Sequence, residues 1–211
     1  PAFDTAEALA AAEFLVELLR YSPDTVLQMS WFERARCYAA GHAAMSYFYT
    51  QMMPILEHDA AVPAHGRTGF ALHPVAPGVA PMAPPGGWTL SIPASLPGAR
   101  ATEVERAVLS LTSAEASKAY IEGGSLVSSR LSVCNDPTVA HRRPVIPIVD
   151  RIARDRQIQT WPRPAVRELS GLVRIRGEEI HDMLLRNKRA QDALRDSQAR
   201  ADRLMREHGR Y

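Results

Sequence analysis

Residues 86–93 read GGWTLSIP, a stretch in which two glycines precede an aromatic ring and an alternating pattern. Trp88, Leu90 and Ile92 alternate with polar residues, which predicts a strand over residues 87–93. Because Gly87 has no Cβ, a ligand can come close to the backbone beside the indole ring. The stretch therefore predicts both a strand and a candidate ligand platform at Trp88.

Two amphipathic helices are predicted upstream of this stretch. The first covers residues 4–20, where Asp4 and Glu7 have the spacing of a capping box. The second begins at Ser30 and ends at Gly41, since glycine tolerates the left-handed conformation at a helix end.

Short strands are predicted over residues 43–49 and 68–73, where apolar residues alternate or cluster. The second of them lies in a segment rich in Pro, Gly and Ala, residues 54–87, which we interpret as a connection between packed units. Such a small number of short strands favours a piece of a larger α/β protein.

Helices are predicted to dominate downstream of residue 93. Their apolar periodicity and capping residues place them from Thr102, over residues 113–122, 147–157 and 165–186, and over a last segment that carries Ala190, Leu194, Ala201 and Leu204.

The composition describes an ordered protein with balanced charge. Of 211 residues, 46% are hydrophobic, and 25 basic residues face 23 acidic ones for a net charge of +2. This balance gives no reason to expect a nucleic-acid partner. Cys37 and Cys134 lack metal-site spacing; they are either free thiols or, in an oxidising compartment, one disulfide.

No catalytic motif is present in the sequence. It contains no HExxH, GxSxG, phosphate-binding loop or dinucleotide-binding glycine motif. Acidic residues accompany His58 and His181, but a solvated surface explains both clusters more simply than a metal site. We therefore predict a protein that is not an enzyme and has no metal, cofactor or catalytic residues.

The aromatic residues point instead to ligand binding. Tyr47 and Tyr49 share one face of the segment predicted as a strand, and Trp161 precedes an Arg-Pro pair. Sugar rings present apolar C–H faces that fit aromatic rings, and their hydroxyl groups fit polar side chains at the rim. Taken one at a time, each ring is more often part of a hydrophobic core than a ligand platform.

The order of these segments resembles the extracellular solute-binding proteins (family 1) of bacterial ABC sugar importers. The resemblance is carried by FDTAEAL at residues 3–9, SWFE at 30–33, YAAGHAAM at 38–45, GGWTLSIP at 86–93, LTSAE at 111–115, GSLVSSR at 124–130, Arg163-Pro164 and ALRDSQ at 193–198. It extends over essentially the whole chain.

This resemblance implies an α/β fold of the periplasmic-binding-protein type II, of which the chain is the C-terminal half, mostly helical with a few strands. Residues 1–85 and 141–211 would belong to the C-terminal lobe, and residues 86–140 would cross back to the N-terminal lobe. The implied partners are a carbohydrate or polyol ligand, ABC permease subunits and the missing N-terminal half. The implied location is periplasmic or extracellular, with membrane association through the transporter.

The resemblance also assigns binding roles to individual residues. Trp88 would stack on the sugar and Gly87 would admit it to the backbone. Tyr49, or Tyr47 on the same face, replaces an aromatic residue that is often Trp in the family. Finally, Arg163 and, as a second choice, Arg130 would donate hydrogen bonds to hydroxyl groups.

One alternative comes from another functional class. The arginines at residues 151, 154 and 156 and those of the last helix also suit a helical interaction module or weak nucleic-acid binder. Binding to DNA or RNA with a steep salt dependence would favour that alternative. If the receptor interpretation holds, we expect the chain alone to bind sugar weakly or not at all and to self-associate through exposed apolar surface.

Overall fold

The computed structural model describes residues 2–86, 89–125, 128, 130–159 and 163–211. The structure is mostly helical, 52%, and its described residues contain no strand longer than one isolated parallel bridge, between Ala83 and Ile158. The chain divides into two compact units: Pro1–Ser30 with Pro162–Tyr211, called unit 1, and Trp31–Trp161, called unit 2.

The helices are short to medium in length. In chain order the described ones are α1 Ala6–Leu18, α2 Trp31–Ala39, α3 Pro54–Glu57, α4 Gly98–Leu111, α5 Ala114–Glu122, α6 Leu131–Cys134, α7 Val145–Arg154, α8 Leu169–Leu184 and α9 Ala190–Glu207, with 3-10 turns at Leu19–Tyr21, Val26–Gln28 and Thr50–Met52.

Local capping signals explain several helix boundaries. The Ser113 hydroxyl accepts a hydrogen bond from the Ala116 amide at 3.1 Å, so α5 begins where the sequence predicts. At α1 the cap is Thr5, which accepts from the Ala8 amide, and the predicted capping role of Asp4 is wrong. At α2 the predicted end is confirmed, since Gly41 has a φ of +80°.

The prediction that a helix begins at Thr102 is wrong because α4 already begins at Gly98. The Thr102 hydroxyl donates to the Gly98 carbonyl at 3.2 Å, so it bonds back into the helix and does not cap it. The predicted helices over residues 147–157 and 165–186 exist as α7 and α8 with shifted ends.

The predicted strands are the main error of the sequence analysis. Residues 43–49, 68–73 and 89–93 are not strands in the structure, while residues 87 and 88 of the third prediction lie outside the described residues. A strand is stable only when a neighbouring strand completes its hydrogen-bond ladder. No described segment pairs with any of these three, so an alternating pattern alone was an insufficient signal.

Unit 1 is a helical core formed by α1, α8 and α9. Ala12, Ala193 and Leu194 are buried there with Met183, and a second cluster contains Leu172, Ala201 and Met205. The small alanines let the helices approach closely. The periodicity of the last helix therefore predicted its buried face correctly at Leu194 and Ala201.

A buried carboxylate joins α8 to α9 in unit 1. Glu179, 5% exposed, accepts hydrogen bonds from Lys188 Nζ at 2.5 Å and Arg200 Nη1 at 2.7 Å. Burial raises the pKa of Glu179, but the two cations outweigh that effect and the pKa is lowered overall. The carboxylate is therefore an ion-paired structural group.

Unit 2 has its own core, which includes the segment interpreted from sequence as a connection. Leu56 in α3 is fully buried in a core cluster that also contains Ile121, Val139 and Ile146. The interpretation of residues 54–87 as only a connection is therefore wrong at its start. Cys37 and Cys134 are free thiols, and burial raises the pKa of Cys134.

Acid is expected to destabilise the protein partly through Glu168. Its Oε1 lies 3.1 Å from both Arg210 Nε and His208 Nδ1, and the Arg210 hydrogen bond is the main reason that the pKa of Glu168 falls to about 2. A carboxylate whose pKa is depressed in the folded state stabilises the fold above its unfolded pKa, about 4.5. That contribution is lost as the pH falls from about 4.5 through about 2.

Urea unfolding at pH 7 and at pH 3 measures this contribution. We expect Glu168→Gln to lose less stability between the two pH values than the unchanged chain, because the amide does not titrate. The exposed Glu17 on α1 provides the matched control, and Glu17→Gln should keep the original pH dependence. The expectation would be contradicted if the free energy of unfolding fell equally between pH 7 and pH 3 for the unchanged chain and for Glu168→Gln.

Candidate functional site

The candidate site is organised around an aromatic residue that faces the core. Phe48 packs edge-on against Tyr38, with ring centroids 5.2 Å apart, and both rings lie against the buried cluster of unit 2. The backbone at Tyr49 is extended, with φ −79° and ψ 142°. Side chains alternate along extended backbone, so Tyr47 and Tyr49 point outward and are 54% and 45% exposed.

Tyr49 forms an exposed pair with Trp31. Their ring centroids lie 5.4 Å apart with the planes tilted by 55°, and Trp31, the first residue of α2, is 47% exposed. Gly86 lies against the ring of Tyr49, because a Cβ added at Gly86 would be 3.4 Å from the Cε1 atom of that ring. The Trp31–Tyr49 pair is thus a fixed aromatic surface that a planar or chair-shaped ligand can contact.

Tyr47 has a different neighbour. Its ring meets the His73 ring edge-on at 5.6 Å, and His73 comes from the segment predicted as the second strand. The imidazole supplies a polar edge beside an exposed phenol ring.

The structure gives Arg130 a structural contact. Its Nε and Nη2 both donate to the carbonyl of Thr112, at 3.1 and 2.8 Å, and Thr112 is the C-cap residue that follows α4. A guanidinium at a helix C-terminus satisfies free carbonyls and complements the helix dipole. Arg130 is nevertheless exposed.

Arg163 belongs to unit 1, whereas Tyr47, Tyr49 and Arg130 belong to unit 2. Its side chain is exposed and forms no hydrogen bond or ion pair with any residue that the structure describes. The predicted site residues Gly87 and Trp88, together with Trp161, lie outside the described residues.

The acidic clusters singled out in the sequence have structural partners. His58 Nε2 is hydrogen-bonded to the Gly124 carbonyl at 2.8 Å, and Glu178 pairs with Arg174 and Arg200. Among the described residues, no group of three or more His, Cys, Asp or Glu side chains is placed to hold a metal ion. Within the same part of the chain, no helix has the length and apolar character needed to cross a bilayer.

Trp31 is the site residue that the sequence analysis missed. The stretch SWFE was interpreted as the start of a helix, and its aromatic residues were left without a role. The sequence offered no local signal for this role, since Trp31, Ala35 and Ala39 are spaced by four residues and share one helical face, which would predict a buried ring at position 31.

Solved structures similar to this chain are solute-binding proteins with bound ligands. Maltose-bound MalE3 of T. maritima has a TM-score of 0.79 and 22% sequence identity, over 96% of this chain and 50% of that chain. An ABC transporter solute-binding protein from Agrobacterium radiobacter K84, in complex with ribitol, has a TM-score of 0.83 and 22% identity, over 97% of this chain and 51% of that chain. No protein-family model matches the sequence, and no curated protein matches it.

These similarities establish the fold. The chain has a periplasmic-binding-protein architecture and spans about half the length of the similar structures. The predicted fold is confirmed to that extent, and so is its mostly helical character, whereas the predicted strands are not observed in the described residues.

Proposed function

We propose that this chain is the C-terminal half of the substrate-binding component of a bacterial ABC importer, of the family 1 solute-binding type. Its ligand would be a carbohydrate or polyol that the protein captures and delivers to the membrane permease. The observation that carries the proposal is the exposed Trp31–Tyr49 pair on a fold shared with maltose-bound and ribitol-bound proteins.

The proposed site combines apolar faces with hydroxyl-binding groups. Trp31 and Tyr49 would stack against C–H faces of the ligand, and Trp88 would add a further ring. A polar contact would come from the guanidinium group of Arg130. The proposed set in unit 2 is Trp31, Tyr47, Tyr49, Gly87, Trp88 and Arg130, and Arg163 of unit 1 is a separate proposed ligand-binding residue.

The proposal requires an N-terminal half, because binding proteins of this kind hold the ligand between two lobes. Residues 1–85 and 141–211 would belong to the C-terminal lobe and residues 86–140 would cross back. The ligand would favour closure only through contacts with both lobes. We call this chain together with that half the complete receptor, and we propose that it is periplasmic or extracellular and reaches the membrane through the permease.

The nucleic-acid alternative, which rests on Arg151, Arg154, Arg156 and the arginines of the last helix, loses support where these arginines are ion-paired, as Arg154 is with Asp150. Arg189 and Arg195 pair with Asp192, and Arg200 pairs with Glu178 and Glu179. Since carboxylates already neutralise these side chains, they do not present a basic stripe to phosphates. The role that we propose is ligand binding, without catalysis, metal or cofactor.

Titration calorimetry on the complete receptor tests the proposal. We expect saturable binding of one member of a panel that includes ribitol and maltose, and a rise in melting temperature on binding. The chain alone should bind the same ligand weakly or not at all. Absence of binding to the whole panel, or salt-dependent binding to DNA, would contradict the proposal.

A further inference from the structure

One arginine of α2 lies next to Trp31 on the helix surface and finds no partner among the described residues. Arg34 follows Trp31 by three residues, and residues three apart on a helix are neighbours. Arg34 is partly buried, and its Nε is buried without a hydrogen-bond partner. In the part of the chain that the structure describes, no side chain forms an ion pair with its guanidinium group. The Trp31–Tyr49 pair therefore has an uncompensated positive charge beside it.

A partly covered arginine elsewhere in the fold is paired with carboxylates. In unit 1, Arg200 is 35% exposed at its side chain and pairs with Glu178 and Glu179. Arg143 shares the buried, unpartnered Nε, but it lies on a different segment from the exposed rings. A guanidinium group that is partly removed from water loses hydration, and a nearby anion offsets that cost. An anion brought by a ligand would supply this compensation at Arg34.

The terminal nitrogens of Arg34 remain within reach of a ligand. Nε is the guanidinium nitrogen that is buried without a partner, whereas Nη1 and Nη2 stay in contact with solvent. These two nitrogens form a planar fork of donors without an acceptor. A carboxylate or phosphate group matches the fork with two acceptor oxygens, while a neutral hydroxyl group also carries a hydrogen that needs an acceptor. The fork therefore favours an anionic group over a hydroxyl group.

We infer that Arg34 binds an acidic group of the ligand, and that the ligand is an acidic carbohydrate, either a sugar acid or a sugar phosphate. Trp31 would contact the apolar face of the sugar ring while the guanidinium group, one helical turn away, holds the acidic group. The two side chains start about 5 to 6 Å apart at their Cβ atoms, so one sugar unit can contact both. This inference rests on the proposed function, because it takes the Trp31–Tyr49 pair as the surface that binds the sugar.

Calorimetry with matched ligands tests the inference on the unchanged complete receptor. Glucuronate and glucose 6-phosphate are compared with glucose, and ribonate is compared with ribitol. At least one acidic ligand is expected to bind about tenfold or more tightly than its neutral counterpart. Its affinity should fall as NaCl rises from about 50 to about 500 mM, because salt screens the charges. Neutral ligands that bind as tightly as their acidic counterparts would overturn the inference.

Substitution of Arg34 gives an independent measurement. Arg34→Gln is expected to weaken binding of the acidic ligand about 10- to 100-fold and to change the affinity for its neutral counterpart less than about threefold. Arg34→Lys keeps the charge but loses the planar fork, so its affinity should lie between those of Arg34→Gln and the unchanged receptor. Arg36→Gln is the control and should change neither affinity, since Arg36 is exposed on the opposite side of α2. Equal losses for the acidic and the neutral ligand would show a structural role for Arg34 and overturn the inference.

The outcomes separate this inference from the proposed function. If a neutral sugar or polyol binds most tightly and Arg34→Gln leaves its affinity unchanged, the inference fails and the proposed function stands. If no acidic or neutral ligand binds the folded receptor, the proposed function fails and the inference fails with it.

Discussion

Replacing Trp31 with alanine is expected to weaken ligand binding by the complete receptor about 10- to 100-fold. A ring stacked on a sugar contributes on the order of 2 kcal/mol through apolar contact, and about 1.4 kcal/mol corresponds to a tenfold change in affinity. Trp31 holds the ring of Tyr49 at 5.4 Å, so the variant also frees its partner. Calorimetric titration with the ligand identified from the panel measures the change.

The substitution should have little effect on the fold, because Trp31 is 47% exposed. Tyr21→Ala provides a matched control at an aromatic side chain that is 78% exposed in unit 1. We expect this control to leave affinity unchanged. Equal affinities for Trp31→Ala and the unchanged receptor would remove Trp31 from the site.

Leu56→Ala is expected to lower the free energy of unfolding of the chain by about 3 kcal/mol. Leu56 is fully buried in the core cluster of unit 2, and its truncation would leave a cavity there. Urea unfolding followed by circular dichroism at 222 nm measures the loss.

Leu90→Ala is the informative comparison for this prediction. Leu90 lies in the stretch predicted as a strand but is 63% exposed, so its truncation should change stability by less than about 0.5 kcal/mol. The two leucines therefore separate the observed core from the core that the sequence pattern suggested. A loss at Leu90 as large as that at Leu56 would contradict the fold described here.

Helices were predictable from the sequence because their determinants are local. The Ser113 hydroxyl caps α5 by accepting a hydrogen bond from the amide three residues later. Gly41 follows the end of α2 and adopts a positive φ that glycine tolerates without strain. The periodicity of α9 likewise placed Leu194 and Ala201 in the core. Boundaries failed where two local signals competed, as at Asp4 and Thr5.

Strands were not predictable because their determinants are distant. The alternation around Phe48 correctly separates a core residue from the exposed Tyr47 and Tyr49, yet no described segment pairs with it. Among the described residues, Ala83 and Ile158 form the single β-bridge, and the local sequence around neither residue predicts it. The core role of Leu56 was equally hidden, since α3 covers only Pro54–Glu57 and is too short to show a helical period.

The candidate site was predictable only where its features depend on local sequence. The exposure of Tyr47 and Tyr49 follows from the local alternation. The approach of Trp31 to Tyr49 joins segments that are far apart in sequence, so only the tertiary structure brings them together. The resemblance to solute-binding proteins indicated the fold, but it did not indicate this pair.

Nuclear magnetic resonance of the complete receptor tests the central claim most directly. The indole N–H signal of Trp31, assigned with the variant Trp31→Phe, is followed while ribitol, maltose or another member of the panel is added. The account predicts a saturable shift of that signal with one carbohydrate or polyol. A folded receptor whose Trp31 signal stays in place while a ligand binds, or one that binds no member of the panel, would contradict it.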